Sequence, residues 1–241
     1  MKTLIVVPSR YGSTRFPAKV LAKLDGKPIV QWCWEAARAA GAGDVLIATE
    51  DRRVADAVKA FGGEAVLTSD QCQSGTDRVF EAAKDKKADL IINVQGDQPL
   101  IKAETIKGVI EVLVKNPDAD ISTAVMRLDD EQRLRNPNVV KAAMAESGRC
   151  LYFSRSPIPY PRNPATARTW EHLGIYGYRR ATLDRFVSLP PSPLELTESL
   201  EQLRALEAGM TIFACVVSDV PVAIDTPEDL SRAETFLRKT K

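Results

Sequence analysis

One histidine, His172, is all that 241 residues contain, and Cys33, Cys72, Cys150 and Cys215 are scattered with no C-x-x-C pair. A zinc centre needs several such ligands at close spacing, so none is expected. No serine or cysteine nucleophile motif accompanies His172, which argues against covalent catalysis. Charge of one sign is also missing: 33 Lys and Arg against 32 Asp and Glu leave +1 at pH 7. Such a chain has no long-range field for nucleic acid or an anionic membrane surface, and neither is expected as a partner. Long apolar runs are absent as well. Leu4 to Val7 stops at Pro8, too short for a signal-peptide core, and no segment approaches the ~20 apolar residues that span a bilayer. A cytoplasmic protein with reduced thiols is the expectation.

What is present is a hydrophobic fraction of 44%, enough for a substantial core in one domain over 1–241. Leu4–Val7, Val45–Ala48, Ala65–Leu67 and Leu90–Val94 read as strands. Between them, apolar residues at helical spacing (Ile29, Trp32, Cys33, Ala36, Ala37, Ala40; Val54, Val58, Phe61; Val79, Ala82, Ala83) mark helices, two of them stopped by Gly41 and Gly62-Gly63. Apolar strands alternating with helices predict an α/β fold, a mostly parallel sheet with helices on both faces. Ligands then sit beyond the carboxyl ends of the strands, in the segments after Val7, Leu67 and Val94.

The second half is less regular. Ile121–Leu128 and Val139–Ala145 read as strands, and Pro157, Pro159, Pro161 and Pro164 predict a loop. A smaller lobe or dimer flap is expected over about 136–189. Ser192-Pro193-Leu194-Glu195 is a capping box opening a helix whose Leu196, Leu200, Leu203 and Leu206 stripe runs to Gly209. Ile212–Val217 reads as a strand and Val222-Ala223-Ile224 as a strand end, and Thr226 caps a last helix with Leu230, Ala233 and Leu237 inward.

Three loops carry candidate chemistry. Pro8 to Lys19 holds Arg10, Arg15 and Lys19 with Tyr11, Gly12, Ser13 and Thr14, a mixture of cations, hydroxyls and one flexible glycine that suits a polyphosphate. It is neither a Walker loop nor a G-x-G-x-x-G turn, and the same residues would also make a solvated basic loop. Ser74-Gly75-Thr76-Asp77-Arg78 opens a helix, either as a simple cap or as an anion-facing N-terminus. Gln95-Gly96-Asp97-Gln98-Pro99 ends a strand and directs a carboxylate over the sheet edge, where Mg²⁺ bridging phosphates would bind; a turn-forming aspartate is the competing reading. Asp225, just before the Thr226 cap, is a second carboxylate for that edge or a partner of the helix dipole. Asp118-Ala119-Asp120 satisfies a bare D-x-D metal motif but opens a strand after Asn116-Pro117, where a solvated turn is the simpler reading. His172 by itself reads as a structural residue.

Arg10 to Arg15 with Lys19, Gln73-Ser74-Gly75-Thr76, Asn93 to Asp97, Tyr152-Phe153-Ser154-Arg155, His172 to Tyr178, Ser192 to Glu195, Leu200-Glu201-Gln202-Leu203-Arg204 and Asp225 to Leu230 together resemble the 3-deoxy-manno-octulosonate cytidylyltransferase (CMP-Kdo synthetase) family, in order along nearly the whole chain. The resemblance implies a nucleotidyltransferase fold, CTP and the acidic keto sugar Kdo as substrates, CMP-Kdo and pyrophosphate as products feeding lipopolysaccharide synthesis, Mg²⁺ dependence and a homodimer. Carried over by position, it implies that Arg10, Ser13, Arg15 and Lys19 hold the triphosphate, and that Ser74, Gly75, Arg78 and Gln95 bind the nucleotide. Asp97 and Asp225 would ligate Mg²⁺. Gln98, Arg155, His172, Tyr178, Glu201 and Gln202 would line the sugar pocket, Arg155 meeting the sugar carboxylate.

Three departures stand out: Gln98 where the family commonly has glutamate, Ala18 where it often has glycine, and a shorter loop before Asp225. They leave the acceptor open among Kdo, 8-amino-Kdo and other nonulosonic acids. A nucleotide-sugar glycosyltransferase using Asp118 and Asp120, or a non-catalytic nucleotide sensor, is the remaining alternative.

Overall fold

The computed structural model describes residues 1–13, 15–218 and 222–240. Thr14 of the cation loop and residues 219–221 of the loop before Asp225 lie outside them. The residues group into two compact units, 1–107 with 221–241, and 108–220.

The first unit carries β1 (Thr3–Pro8), a small hairpin of β2 (Lys23–Leu24) and β3 (Lys27–Pro28), α1 (Ile29–Ala39), β4 (Asp44–Thr49), α2 (Arg52–Ala60), β5 (Glu64–Leu67), α3 (Gly75–Ala83) and β6 (Leu90–Asn93). Its main strands run in the order β5-β4-β1-β6, all parallel. Ile5, Val6 and Val7 are each fully buried. Successive side chains of a strand point to opposite faces, so both faces of β1 are covered, as the uninterrupted apolar run predicts. Each such side chain contributes about 1.5–3 kcal/mol on burial. Helix α1 buries Ile29, Val30, Cys33 and Ala37, and α3 buries Val79, Ala82 and Ala83, the stripes seen in the sequence.

The register brings four strand ends to one edge. Pro8 pairs with Ala48, Thr49 with Leu67, and Val6 with Asn93. Consequently the segments 9–19, 50–51, 68–78 and 94–97 all leave the sheet at its carboxyl side. Residues 222–224 form no strand, contrary to the sequence reading; Ile224 instead donates its N–H to Asp97 O at 2.8 Å, which pins the segment before Asp225.

Helix α4 (Ala103–Lys115) spans the change of unit along the chain. The second unit follows with β7 (Ile121–Arg127), α5 (Glu131–Arg135), β8 (Lys141–Met144), β9 (Arg149–Ser154), β10 (Trp170–Arg179), α6 (Arg180–Ser188), α7 (Pro193–Glu198), α8 (Gln202–Glu207) and β11 (Ile212–Val217). Its strands run β10-β7-β11-β9-β8, and β8 also pairs with β10, closing the five into a ring. Here the mostly parallel expectation fails. Only β7 and β11 are parallel, while β10, β9 and β8 join by antiparallel pairing, β8 and β9 through a short hairpin and the others between strands distant in sequence. Strands β9 and β10 are absent from the sequence reading. Their segments, 149–154 and 170–179, mix glycine, charged and aromatic residues without clean alternation.

The capping box at Ser192 is present, with Ser192 Oγ accepting from Glu195 N and Glu195 returning to Ser192 N. The single helix expected to reach Gly209 is instead two, α7 and α8. Ser199 between them is left-handed at φ 51°, and Leu196 is exposed rather than part of a buried stripe. Thr226 and Asp229 cap α9 (Pro227–Thr240) reciprocally, as expected.

Candidate active site

At the carboxyl edge of the first unit lies a cavity of about 680 Å³, lined by residues from every one of the four strand ends. Arg10, Ser13, Arg15, Lys19, Ser74, Gly75, Arg78, Gln95, Asp97 and Asp225 all line it. These are the ten residues that the sequence assigns to catalysis, nucleotide and metal, drawn together from positions more than two hundred residues apart.

Electrostatics organise the centre of this cavity. Lys19 Nζ donates to Asp97 Oδ2 at 3.0 Å and to Asp225 Oδ1 at 2.9 Å, and its side chain is only 11% exposed. Arg15 reaches the other Asp225 oxygen at 3.2 Å. Burial works to raise the Asp225 carboxyl, but the bond and charge of Lys19, with Arg15 beside it, prevail and hold it below the usual carboxylate range. The two carboxylates thus already embrace a cation, and hard oxygen donors of this kind suit Mg²⁺. Among the described residues no group of three or more His, Cys, Asp or Glu forms a complete metal cage. A divalent ion here would take its remaining ligands from phosphate and water, the usual arrangement for Mg²⁺.

Close approach of backbone shapes the rim. A Cβ on Gly96 would lie 2.5 Å from Pro8 O and 2.6 Å from Ser9 Oγ, so only glycine lets the Asp97 turn sit against the end of β1. At Ser74 the capping box is complete, with Asp77 N donating to Ser74 Oγ and Ser74 N to Asp77 Oδ2. The first turn of α3 thus brings Gly75 and Arg78 to the cavity wall. Arg78, 5% exposed, donates to Thr68 Oγ1 at 2.6 Å and forms an ion pair with Glu50 at 3.2 Å.

Glu50 escapes the sequence reading. Its Oε1 accepts the N–H groups of Tyr11 and, at 3.4 Å, Gly12, linking the cation loop to Arg78. The signal was available: Glu50 follows the carboxyl end of β4, next to β1, and the same rule that selected the other loops applies to it. Arg53, paired with Asp51, stacks 3.6 Å over the Tyr11 ring and closes the loop from outside. Cys72 also lines the cavity, but burial and a bond to Glu81 push its thiol up to about 11, which leaves it protonated and a poor nucleophile.

Of the residues assigned to the sugar, Gln98 belongs to the first unit, outside the cavity lining, with its Oε1 buried and without a hydrogen-bond partner. The other five belong to the second unit. Arg155 gives its guanidinium to three backbone carbonyls, of Glu198, Pro137 and Ser199, leaving two of its five N–H donors beyond these bonds. His172 is buried, edge-on to Phe153, with Nε2 at 3.0 Å from Thr123 Oγ1, and burial lowers its pKa to about 3. Tyr178 is buried between Tyr176 and Phe186. Glu201 precedes α8 as its N-cap, and Gln202 is 6% exposed with an unpartnered Nε2. The D-x-D segment is structural: Asp120 accepts from Thr211 N at 2.8 Å and from its hydroxyl, which also meets Asp118 O. A carboxylate engaged in this way joins two chain segments, and the glycosyltransferase alternative loses its support.

Comparison with known proteins agrees with this geometry. Residues 4–212 match the family model described as cytidylyltransferase. A 3-deoxy-manno-octulosonate cytidylyltransferase of Elusimicrobium minutum is 52% identical over 98% of both chains, and one of Chloroherpeton thalassium is 46% identical over 99% of both. A solved CMP:2-keto-3-deoxy-manno-octonic acid synthetase complexed with CTP superposes with a TM-score of 0.96 at 39% identity, each chain covered completely. With identity of this level running through both compact units, the chain belongs to the 3-deoxy-manno-octulosonate cytidylyltransferase family.

Proposed function

We propose that the chain transfers CMP from CTP to Kdo, giving CMP-Kdo and pyrophosphate for lipopolysaccharide synthesis. The observation that carries this reading is the convergence of Arg10, Arg15, Lys19 and Arg78 with Asp97 and Asp225 around one cavity at the carboxyl edge of a parallel sheet.

The sugar hydroxyl must attack the α-phosphorus in line with departing pyrophosphate, and both reactants are anionic. Positioning and charge neutralisation therefore supply most of the catalysis. Arg10, Arg15 and Lys19 hold the triphosphate oxygens, and Ser13 and the Gly75 amide complete the cradle. Arg78 and Gln95 orient the nucleoside end. Asp97 and Asp225 would hold Mg²⁺, which when bound would supply charge to polarise the attacked phosphate and lower the pKa of the attacking hydroxyl. Arg155 meets the sugar carboxylate with the two donors that its carbonyl bonds leave over. Buried and neutral, His172 together with Gln202 offers hydrogen bonds without adding charge.

The working form we propose is a cytoplasmic homodimer. In the second unit Leu151, Tyr160 and Val216 are 59%, 86% and 56% exposed, and the last two line a cavity of about 770 Å³ together with Pro159 and Trp170. Apolar exposure of this kind supports a surface covered by a second copy.

The deciding experiment is pyrophosphate release with CTP, UTP or ATP crossed against Kdo, 8-amino-Kdo and sialic acid. Release confined to CTP with Kdo is expected. CTP binding without turnover on any acid would favour a sensor, and preference for another acid would reassign the acceptor.

A further inference from the structure

We propose that Lys19 is a built-in counter-cation of the metal site, one that a divalent ion must displace, so that the ion enters together with the triphosphate and not ahead of it. The inference rests on the cytidylyl-transfer reading and on Asp97 and Asp225 as the metal carboxylates.

Lys19 Nζ bonds both carboxylates at about equal distance, 3.0 and 2.9 Å, with the side chain almost wholly buried, and Arg15 adds a second positive charge to Asp225. A divalent ion arriving alone finds two carboxylates that are already neutralised. Its entry would take from the buried Lys19 ammonium both of the carboxylates that it bonds, which is costly. A triphosphate in the same cavity removes that cost by giving the ammonium phosphate oxygens to bond. Ion and nucleotide then favour each other's binding, and the coupling is necessarily reciprocal.

The backbone allows the exchange with little disturbance. Lys19 N donates to Phe16 O at 3.2 Å, Lys19 O accepts from Ala22 N at 3.0 Å, and Val20 is 3% exposed, so the chain is fixed on both sides. Only the lysine side chain needs to move.

Equilibrium dialysis with Mn²⁺ tests this on the full chain, using wild type, Lys19→Met, Lys19→Arg and Lys19→Met with Asp97→Asn, each shown by circular dichroism and melting to be folded. Wild type and Lys19→Arg are expected to retain Mn²⁺ weakly until CTP is added. Without CTP, Lys19→Met is expected to bind Mn²⁺ about ten-fold more tightly, because an opposing charge is gone, and Asp97→Asn is expected to abolish that gain. Equal Mn²⁺ affinity in wild type and Lys19→Met, with CTP-dependent retention intact, would overturn the exchange alone. No retention in any form even with CTP would overturn the carboxylate assignment and the exchange with it.

Discussion

Glu50 Oε1 accepts the backbone N–H of Tyr11 at 2.8 Å, so a carboxylate at the end of β4 sets the path of the cation loop that follows β1. Its second oxygen faces the buried Arg78. Replacing Glu50 with alanine releases the loop and takes the carboxylate partner from a buried guanidinium, at a cost of about 2 kcal/mol in stability. The expected kinetic result is a higher KM for CTP with a smaller change in kcat, and Glu50→Gln, which keeps the acceptor for Tyr11, should lose less. Equal KM values in wild type and both variants would remove Glu50 from the site.

Asp97→Asn keeps the size of the side chain and removes one of the two charges facing Lys19. Pyrophosphate release should fall by roughly 10² or more, with the circular dichroism spectrum unchanged. Near-normal turnover would sink the metal assignment.

Ala18 is left-handed at φ 56°, immediately before the 3-10 turn that begins with Lys19. Glycine adopts that conformation without the Cβ penalty, although it also adds entropy to the unfolded chain. Ala18→Gly should therefore raise stability by up to about 1 kcal/mol, measured by urea denaturation, with a loss of stability counting against left-handed strain at this residue.

His172 gives a clean pH signature because it is the only histidine. Burial lowers its pKa to about 3, whereas an unfolded chain takes up that proton near pH 6.5. Between those values the unfolded state binds more protons, so this residue's contribution to stability is complete above about 6.5 and is lost as the pH falls toward 3. The imidazole resonances should not titrate between pH 5 and 8. A midpoint near 6.5 would show that the ring is solvated.

Much of the first unit was legible because its strands are buried on both faces and read as plain apolar runs; Leu4–Val7 and Leu90–Val94 needed no further context. Strand β10 was not, since Thr123 Oγ1 supports the bulge between Leu173 and Tyr176 through contacts with Leu173 O, Ile175 O and His172, and a tertiary bond of this kind leaves no periodicity. The break at Ser199 was hidden for a similar reason: Arg155, distant in sequence, bonds the carbonyls on either side of the turn. Within the site, the loops after β1, β5 and β6 were found by position; Glu50, which follows β4 and obeys the same rule, was overlooked because a lone carboxylate that acts on the backbone amides of another loop carries no motif.

Gly96 gives the site its clearance. With Pro8 O and Ser9 Oγ where a methyl carbon would go, alanine at 96 would act as a wedge, prising the cation loop from the turn that bears Asp97. The hydrophobic interior lies elsewhere, so such a protein should still fold while its positive and negative halves no longer meet across the cavity. How closely the strand end that leads to the cations approaches the turn that bears Asp97 thus depends on one absent atom.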